Sequence, residues 1–342
     1  MKTVEELFGD EKVMYKAFKK SKNNRSYLMS SMLFDMNAIM RLKTIKDAVL
    51  SGNYKVAGYT EFYVTRPKLR QIKACRFRDK VAQHVLCDNI LSEELLKHTI
   101  KDNYAGQRGK GTGLARKRIV ENLEEYYLEH GSEGYIYRGD IHKFYFNIDH
   151  EIAKQEMHEM FPADTHELID IFIDSTGPEA GIALGNQINT IISCAYLHEL
   201  DLFVTEKLGY KHYGRYADDF YFIDNDKEHL KESVRKLEEF VHDLKLELNS
   251  KSQMIKMNRG VKFLGFHYTL MGNGQIQIKL SNEKKREYRR KFNKMHKKVQ
   301  NGQLKLAKLE KSYHSWKIYA SHVTDKRIFN YYESKIKELR NG

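Results

Sequence analysis

At 342 residues, 41% of them hydrophobic and 12% aromatic, the chain is long enough to bury a sizeable core spread over two or three subdomains. No apolar run approaches the length of a membrane span, and the charged start MKTVEELFGDEKVMYKAFKK lacks the apolar centre of a secretory signal; three cysteines, Cys75, Cys87 and Cys194, have spacings that fit neither a disulfide nor a metal framework. A cytoplasmic protein with buried free thiols and no membrane partner is expected. The net charge of +13 is unevenly placed, because residues 281–342 hold 18 Lys and Arg against 6 Asp and Glu. That basic segment follows a nearly neutral body and calls for a polyanion, with nucleic acid favoured over lipid because its apolar face is sparse. The alternative is a basic helix that is merely solvated.

In chain order, residues 1–60 read as a mainly helical region, with SYLMSSMLFDMNAIMRLKTIKDAVLSGNY as one long amphipathic helix ending near Gly52. YTEFYVTRPKLRQIKA alternates like a basic hairpin around Pro67-Lys68. FRDKVAQHVLCDNILSEELLKH returns to helical spacing. GYIYRGDIHKFYFNID predicts a strand that exits at Asp140 and a helix from His150, and residues 185–208 predict one long apolar helix. HYGRYADDFYFID is a tight hairpin, HLKESVRKLEEFVHDLKL a helix, GVKFLGFHYTL a strand pair, and the basic tail is helical. Hairpins separated by helices give an α+β fold, with 61–280 as its main domain and 281–342 as a basic helical appendage. GQRGKGTG (106–113) looks like a phosphate loop but has Gly111 where a hydroxyl residue is needed, so it reads as a basic turn. The fifteen histidines form no zinc pattern.

Asp218 and Asp219 interrupt an otherwise apolar stretch. Two adjacent carboxylates there are either turn residues or metal ligands. Asp140 also ends an apolar strand, and if that strand lies beside the 216–223 hairpin, three carboxylates converge on one edge. They would repel unless a cation joined them, and hard oxygen ligands suit Mg²⁺. Two such ions about 4 Å apart support in-line phosphoryl transfer.

The motif order around these residues resembles that of reverse transcriptases. YADD (216–219) is similar to the family's catalytic box, RPKLRQIKACRFRDKVAQHVL to its fingers motif, and GDIHKFYFNID to the palm strand bearing the first aspartate. GIALGNQINT resembles the motif packed against template and nucleotide, LELNSKSQ the lysine-bearing motif, and VKFLGFHY the primer grip. The resemblance implies a right-hand polymerase fold with fingers, palm and a basic helical thumb, acting as an RNA-directed DNA polymerase with two Mg²⁺. It makes Asp140, Asp218 and Asp219 catalytic metal ligands, joined by the backbone carbonyl of Ile141. Nucleotide binding falls to Lys68 and Arg70 at the triphosphate, Tyr145 as a gate against the ribose 2′-hydroxyl, Gly185, Asn186, and Lys251 as a proton donor to pyrophosphate. Packing alone would also account for Tyr145, and a surface position for Lys251.

Group II intron enzymes carry Pro-Gln before the glycine of the fourth motif, where this chain has Ala183 and Leu184. LGNQ is more similar to the bacterial enzymes of diversity-generating retroelements and antiphage defence, and Asn189-Thr190 favours the defence branch. No segment resembles an RNase H, integrase, endonuclease or maturase domain. The implied partners are an RNA template or structured non-coding RNA, dNTPs, the cDNA product, and an accessory protein or a second copy of the chain. A group II intron-like enzyme and a catalytically silent RNA-binding scaffold are the alternatives.

Overall fold

The computed structural model describes residues 2–65, 69–177 and 179–341. In chain order the helices and strands are α1 (Val4–Gly9), α2 (Glu11–Lys22), α3 (Met29–Met36), α4 (Ala38–Leu50), β1 (Tyr59–Val64), β2 (Arg70–Cys75), α5 (Phe77–Leu86), α6 (Ser92–His98) and α7 (Thr112–His130). There follow β3 (Tyr135–Asp140), α8 (Phe144–Asn147), α9 (His150–Met160), α10 (His166–Asp174), α11 (Gln187–Tyr196), α12 (His198–Leu202), β4 (Tyr213–Tyr216), β5 (Asp219–Asp224) and α13 (Lys227–Asp243). The last are β6 (Gln253–Lys256), β7 (Val261–Phe263), β8 (Phe266–Leu270), β9 (Ile276–Leu280), α14 (Asn282–Gln300), α15 (Leu306–Ala320) and α16 (Asn330–Asn341). The fold is α+β, as the sequence predicts. Among the described residues no helix is long and apolar enough to cross a membrane.

β1 and β2 form an antiparallel hairpin in the register Tyr59↔Cys75 to Val64↔Arg70; residues 66–68, where the sequence reading puts Pro67-Lys68 at the turn, lie outside the described residues. A four-stranded sheet has the order β4-β5-β3-β6, and β7-β8-β9 make a three-stranded sheet. The chain divides into two compact units. One comprises residues 1–115, 139–220 and 231–252, and the other residues 116–138, 221–230 and 253–342.

The first unit is opened by well-capped helices. Thr3 and Glu6 form a capping box on α1, and Asp10 caps α2 through the amides of Lys12 and Val13, satisfying donors that a helix start leaves unpaired. Asp149 does the same for α9 and uses its second oxygen on Lys245 at 2.7 Å. Behind the site, Ile141, Phe144, Ile188, Ile192, Tyr196 and Phe220 are all fully buried. The hydroxyl of Tyr196 donates to the Leu244 carbonyl at 2.7 Å.

The second unit is organised by aromatic rings. Trp316 stacks on Tyr288 with centroids 4.1 Å apart, and Tyr332 meets Trp316 and Phe292 edge-on at 4.9 Å each, so α14, α15 and α16 share one core. The Arg116 guanidinium lies 4.6 Å from the Phe266 ring and 4.8 Å from that of Tyr319, tying α7 to β8 and α15 by cation–π attraction.

Three readings are corrected, and one helix is added. The helix expected to run to Gly52 is two, broken at Asn37, which has φ −129°; Asn is a poor helix former that competes for backbone hydrogen bonds. The long apolar helix at 185–208 is broken at Leu197 and ends in a π-helical turn, Phe203–Lys207, where Phe203 stacks on Phe240 at 4.2 Å. No Gly or Pro marks that break; tertiary packing imposes it. The strand pair after residue 260 acquires a third strand, β9. The basic turn at 106–113 leads directly into α7, which sequence spacing does not reveal, and Lys110 is tied down there by the Ile100 carbonyl at 3.0 Å.

Burial and the neighbouring Glu199 and Glu159 carboxylates push Glu156 of α9 up to about 7. A carboxyl raised in the folded state costs nothing below its unfolded value, where both states are protonated, and destabilises increasingly as pH rises towards 7. Glu156→Gln should therefore raise stability by about 1–3 kcal/mol at pH 8 and by almost nothing near pH 4, as measured by denaturant unfolding at both pH values.

Candidate active site

The site is built where β3 ends and the β4–β5 hairpin turns. Asp140 closes β3, while Asp218 and Asp219 stand at the turn and the first position of β5; all three are half-buried. Backbone bonds bring them to one edge. The Ile141 amide donates to the Asp218 carbonyl at 3.3 Å, placing the residue after Asp140 against the turn. On the other side, the Asn249 amide donates to the Asp140 carbonyl at 2.7 Å, and the Asp140 amide donates to Ser252 Oγ at 3.1 Å. Gly139 makes the approach possible, since a Cβ there would lie 2.1 Å from the Phe220 ring.

The turn is held from beneath by Arg215, which is fully buried. Its Nε and Nη2 bind the two Asp201 oxygens at 2.6 Å each, and its Nη1 donates to the Ala217 carbonyl at 3.0 Å. Nη2 also reaches the Cys194 carbonyl at 3.4 Å. The Tyr213 hydroxyl donates to Asp201 Oδ1 at 2.5 Å, and Asn103 Nδ2 to Asp201 Oδ2 at 3.3 Å. The Arg215 backbone is bracketed as well: its amide donates to the Asp102 carbonyl at 2.9 Å and its carbonyl accepts from Tyr104 at 3.0 Å. Burial drives the Tyr213 hydroxyl well above its ordinary value, with the Asp201 charge adding to the effect. Ala217 has φ +55°, a left-handed conformation that costs a residue with a Cβ about 1–2 kcal/mol. Strain of this kind persists where surrounding bonds over-determine the backbone, and the Arg215 bond to its carbonyl is one of them.

The expected nucleotide residues are placed as follows. Tyr145, in α8, lines a pocket of about 210 Å³ together with Gln71, Lys73, Gly181, Ala183 and Leu184. The pocket wall is fixed by the Ile182 amide donating to the Tyr145 carbonyl at 2.8 Å. Burial raises the Tyr145 phenol above its ordinary value, against the opposing effect of a hydrogen bond with Ser193. Arg70 is exposed at the start of β2; Lys68 lies outside the described residues. Gly185 has φ +106°, and a Cβ on it would come 3.1 Å from Ile72. The Asn186 amide is spent on the hairpin: its Oδ1 accepts from the Cys75 amide and its Nδ2 donates to the Lys73 carbonyl, both at 3.0 Å. It therefore positions β2. Lys251 is exposed, in the same 249–252 turn that grips Asp140, and its amide donates to Asn249 Oδ1 at 3.1 Å.

Among the described residues no three His, Cys, Asp or Glu side chains are already grouped as ligands for a metal ion. The donor chemistry of Asp140, Asp218 and Asp219 nevertheless fits a hard divalent cation. Sequence reading missed Arg215, Asp201 and Ser252. The signal for the first was an arginine inside an apolar strand, immediately before the Tyr-Ala-Asp-Asp run; Asp201 and Ser252 had none.

Residues 64–268 match the reverse transcriptase (RNA-dependent DNA polymerase) family, and the chain belongs to it. The members of this family are nucleotidyltransferases that use divalent metal ions. Among solved structures the chain is similar to apo telomerase from Candida tropicalis truncated from its C-terminal domain, with TM-score 0.51 and 12% identity over 71% of this chain and 60% of that one. It is also similar to Candida tropicalis telomerase in complex with a TWJ fragment of telomeric RNA, with TM-score 0.50 and 12% identity over 65% of this chain and 45% of the other. At that identity the likeness is one of polymerase fold, and the chain spans only 45–60% of those chains. No curated protein matches it.

Removing one partner of a buried ion pair leaves an uncompensated charge, so Arg215→Met should cost roughly 3–5 kcal/mol in denaturant unfolding. Adding Asp201→Leu should recover much of that stability. The double variant should still lack polymerase activity, because the Ala217 carbonyl has lost its donor; recovery of both stability and activity would reduce the pair to a packing element.

Proposed function

We propose that the chain copies RNA into cDNA by metal-assisted nucleotidyl transfer, with Asp140, Asp218 and Asp219 as the metal ligands and the Ile141 carbonyl as an added one. The observation that carries this reading is the Ile141–Asp218 backbone bond, which sets the ends of β3 and the hairpin side by side within the family-matched span. In the transfer the primer 3′-oxygen attacks the α-phosphorus of a dNTP, the α–β bridging bond breaks, and pyrophosphate leaves. Two Mg²⁺, when bound, would promote ionisation of the hydroxyl and neutralise charge on the attacking and leaving oxygens.

The chain's own residues have distinct tasks. The three carboxylates hold cations at the joint of two strands, where half-burial limits competition from water. Arg70 offers a planar fork to the triphosphate, with Lys68 beside it in sequence. Tyr145 presents a ring at the pocket wall, where a ribose 2′-hydroxyl would collide. Gly185 keeps that approach free of a side chain, Asn186 fixes the β2 backbone, and Lys251 supplies a proton to the departing pyrophosphate. The template is an RNA, bound with help from the basic surface of 281–342, and the segments act as fingers and palm (61–280) and thumb (281–342), preceded by the helical region 1–60.

We assign the enzyme to the bacterial lineage of antiphage defence and diversity-generating retroelements, on the strength of Leu184-Gly185-Asn186-Gln187 followed by Asn189-Thr190. The test is extension of a primer on RNA with labelled dNTPs. Asp218→Asn should reduce product by about 10²-fold or more without loss of folding, and Tyr145→Ala should raise the use of rNTPs relative to dNTPs. Undiminished synthesis by Asp218→Asn would remove the catalytic assignment.

A further inference from the structure

The helices α3 and α4 carry an apolar face that none of the described residues covers. α3 buries only Ser31 and Phe34, the latter against the rings of Phe18 at 5.5 Å and Phe77 at 4.9 Å. Its other side presents Met29, Met32, Leu33 and Met36, spaced i, i+3, i+4 and i+7. That spacing makes one stripe on a helix, yet the four are 69%, 51%, 48% and 77% exposed. Past the break at Asn37, Ile39 and Met40 in α4 are 82% and 66% exposed, and Tyr27 before α3 is 76% exposed. Soluble monomers seldom show a contiguous apolar patch of more than a few hundred Å². Side chains of this size, so exposed, present on the order of 800–1,000 Å² together, about what one partner contributes to a stable protein–protein interface.

Charge decides what covers it. The chain as a whole carries +13, so two copies repel across most approaches. Between residues 26 and 40 the only charged residue is Asp35, and it is paired with Lys22. Exposed Arg25 and Arg41 border the stripe, the latter over the Phe34 ring, so like-charged copies that meet here bring charge together only at its borders. A two-fold interface uses the same patch on both copies, and a helix surface offers both the ridges and the grooves that such packing needs. The long, unbranched methionines adapt to such a fit.

We propose that the α3–α4 face is a homodimer interface, in which the Met29–Met40 stripe of one copy packs on that of a second across a two-fold axis. The proposal does not rest on the polymerase assignment. It is tested by sedimentation velocity of the full chain after nuclease treatment at high salt, where association bridged by a polyanion is lost and apolar burial is kept. The expected species has about twice the 40.4 kDa chain mass. Leu33→Lys and Met36→Lys should each weaken the association by more than about 10-fold with unchanged far-ultraviolet circular dichroism; both side chains are exposed, so folding should survive. A wild-type chain that sediments as a single copy at every concentration would overturn the proposal, even if it captured a partner's helix. So would folded variants that associate as strongly as the wild type.

Discussion

The turn that carries Asp218 and Asp219 hangs on one buried ion pair. Arg215 and Asp201 are withdrawn from water completely, and such a pair seldom gains enough Coulomb energy to repay its desolvation. It is kept in good order because almost every donor and acceptor is used: both Asp201 oxygens bind the guanidinium, Tyr213 and Asn103 add two more bonds, and the remaining guanidinium N–H groups turn to the Cys194 and Ala217 carbonyls. The last of these fixes the strained residue ahead of Asp218. A lysine could not replace this arginine, since one ammonium cannot hold a carboxylate by both oxygens while reaching the turn. The chain spends a buried charge on the geometry of two other charges.

How far this was legible in the sequence depends on the range of the interactions. Asp140 and the Asp218–Asp219 pair could be picked out because each interrupts an apolar strand, a contradiction visible within a few residues. The hairpins at 59–75 and 213–224 were readable from alternation and turn residues. Asp201 was not, because it sits in what reads as a continuous apolar helix, and only the break at Leu197 makes α12 a separate element that carries it beneath Arg215. Ser252 and Asn249 grip Asp140 from more than a hundred residues away, and β6 is too short and polar to announce itself. The break at Asn37 had a local cause that spacing alone overrode. Asn186 shows the opposite limit: the motif pointed to it, while its actual partners lie on β2.

The same logic of partition runs through the surface. Basic residues collect on α14–α16 around an aromatic core; some brace it, as Lys317 does on Glu333 and Arg340 on Glu310, and others stand exposed to solvent. The α3–α4 stripe is nearly uncharged and apolar. The two surfaces are chemically distinct, one within each compact unit.

The central claim is that the backbone bonds joining β3, the hairpin turn and the 249–252 turn bring three aspartates together as ligands for divalent cations. Its most direct measurement is anomalous diffraction from crystals grown with Mn²⁺, an RNA–DNA duplex and a non-hydrolysable dNTP. The account predicts anomalous peaks whose nearest protein ligands are carboxylate oxygens of Asp140 and Asp218. Manganese bound elsewhere, with water alone around these aspartates, would contradict it.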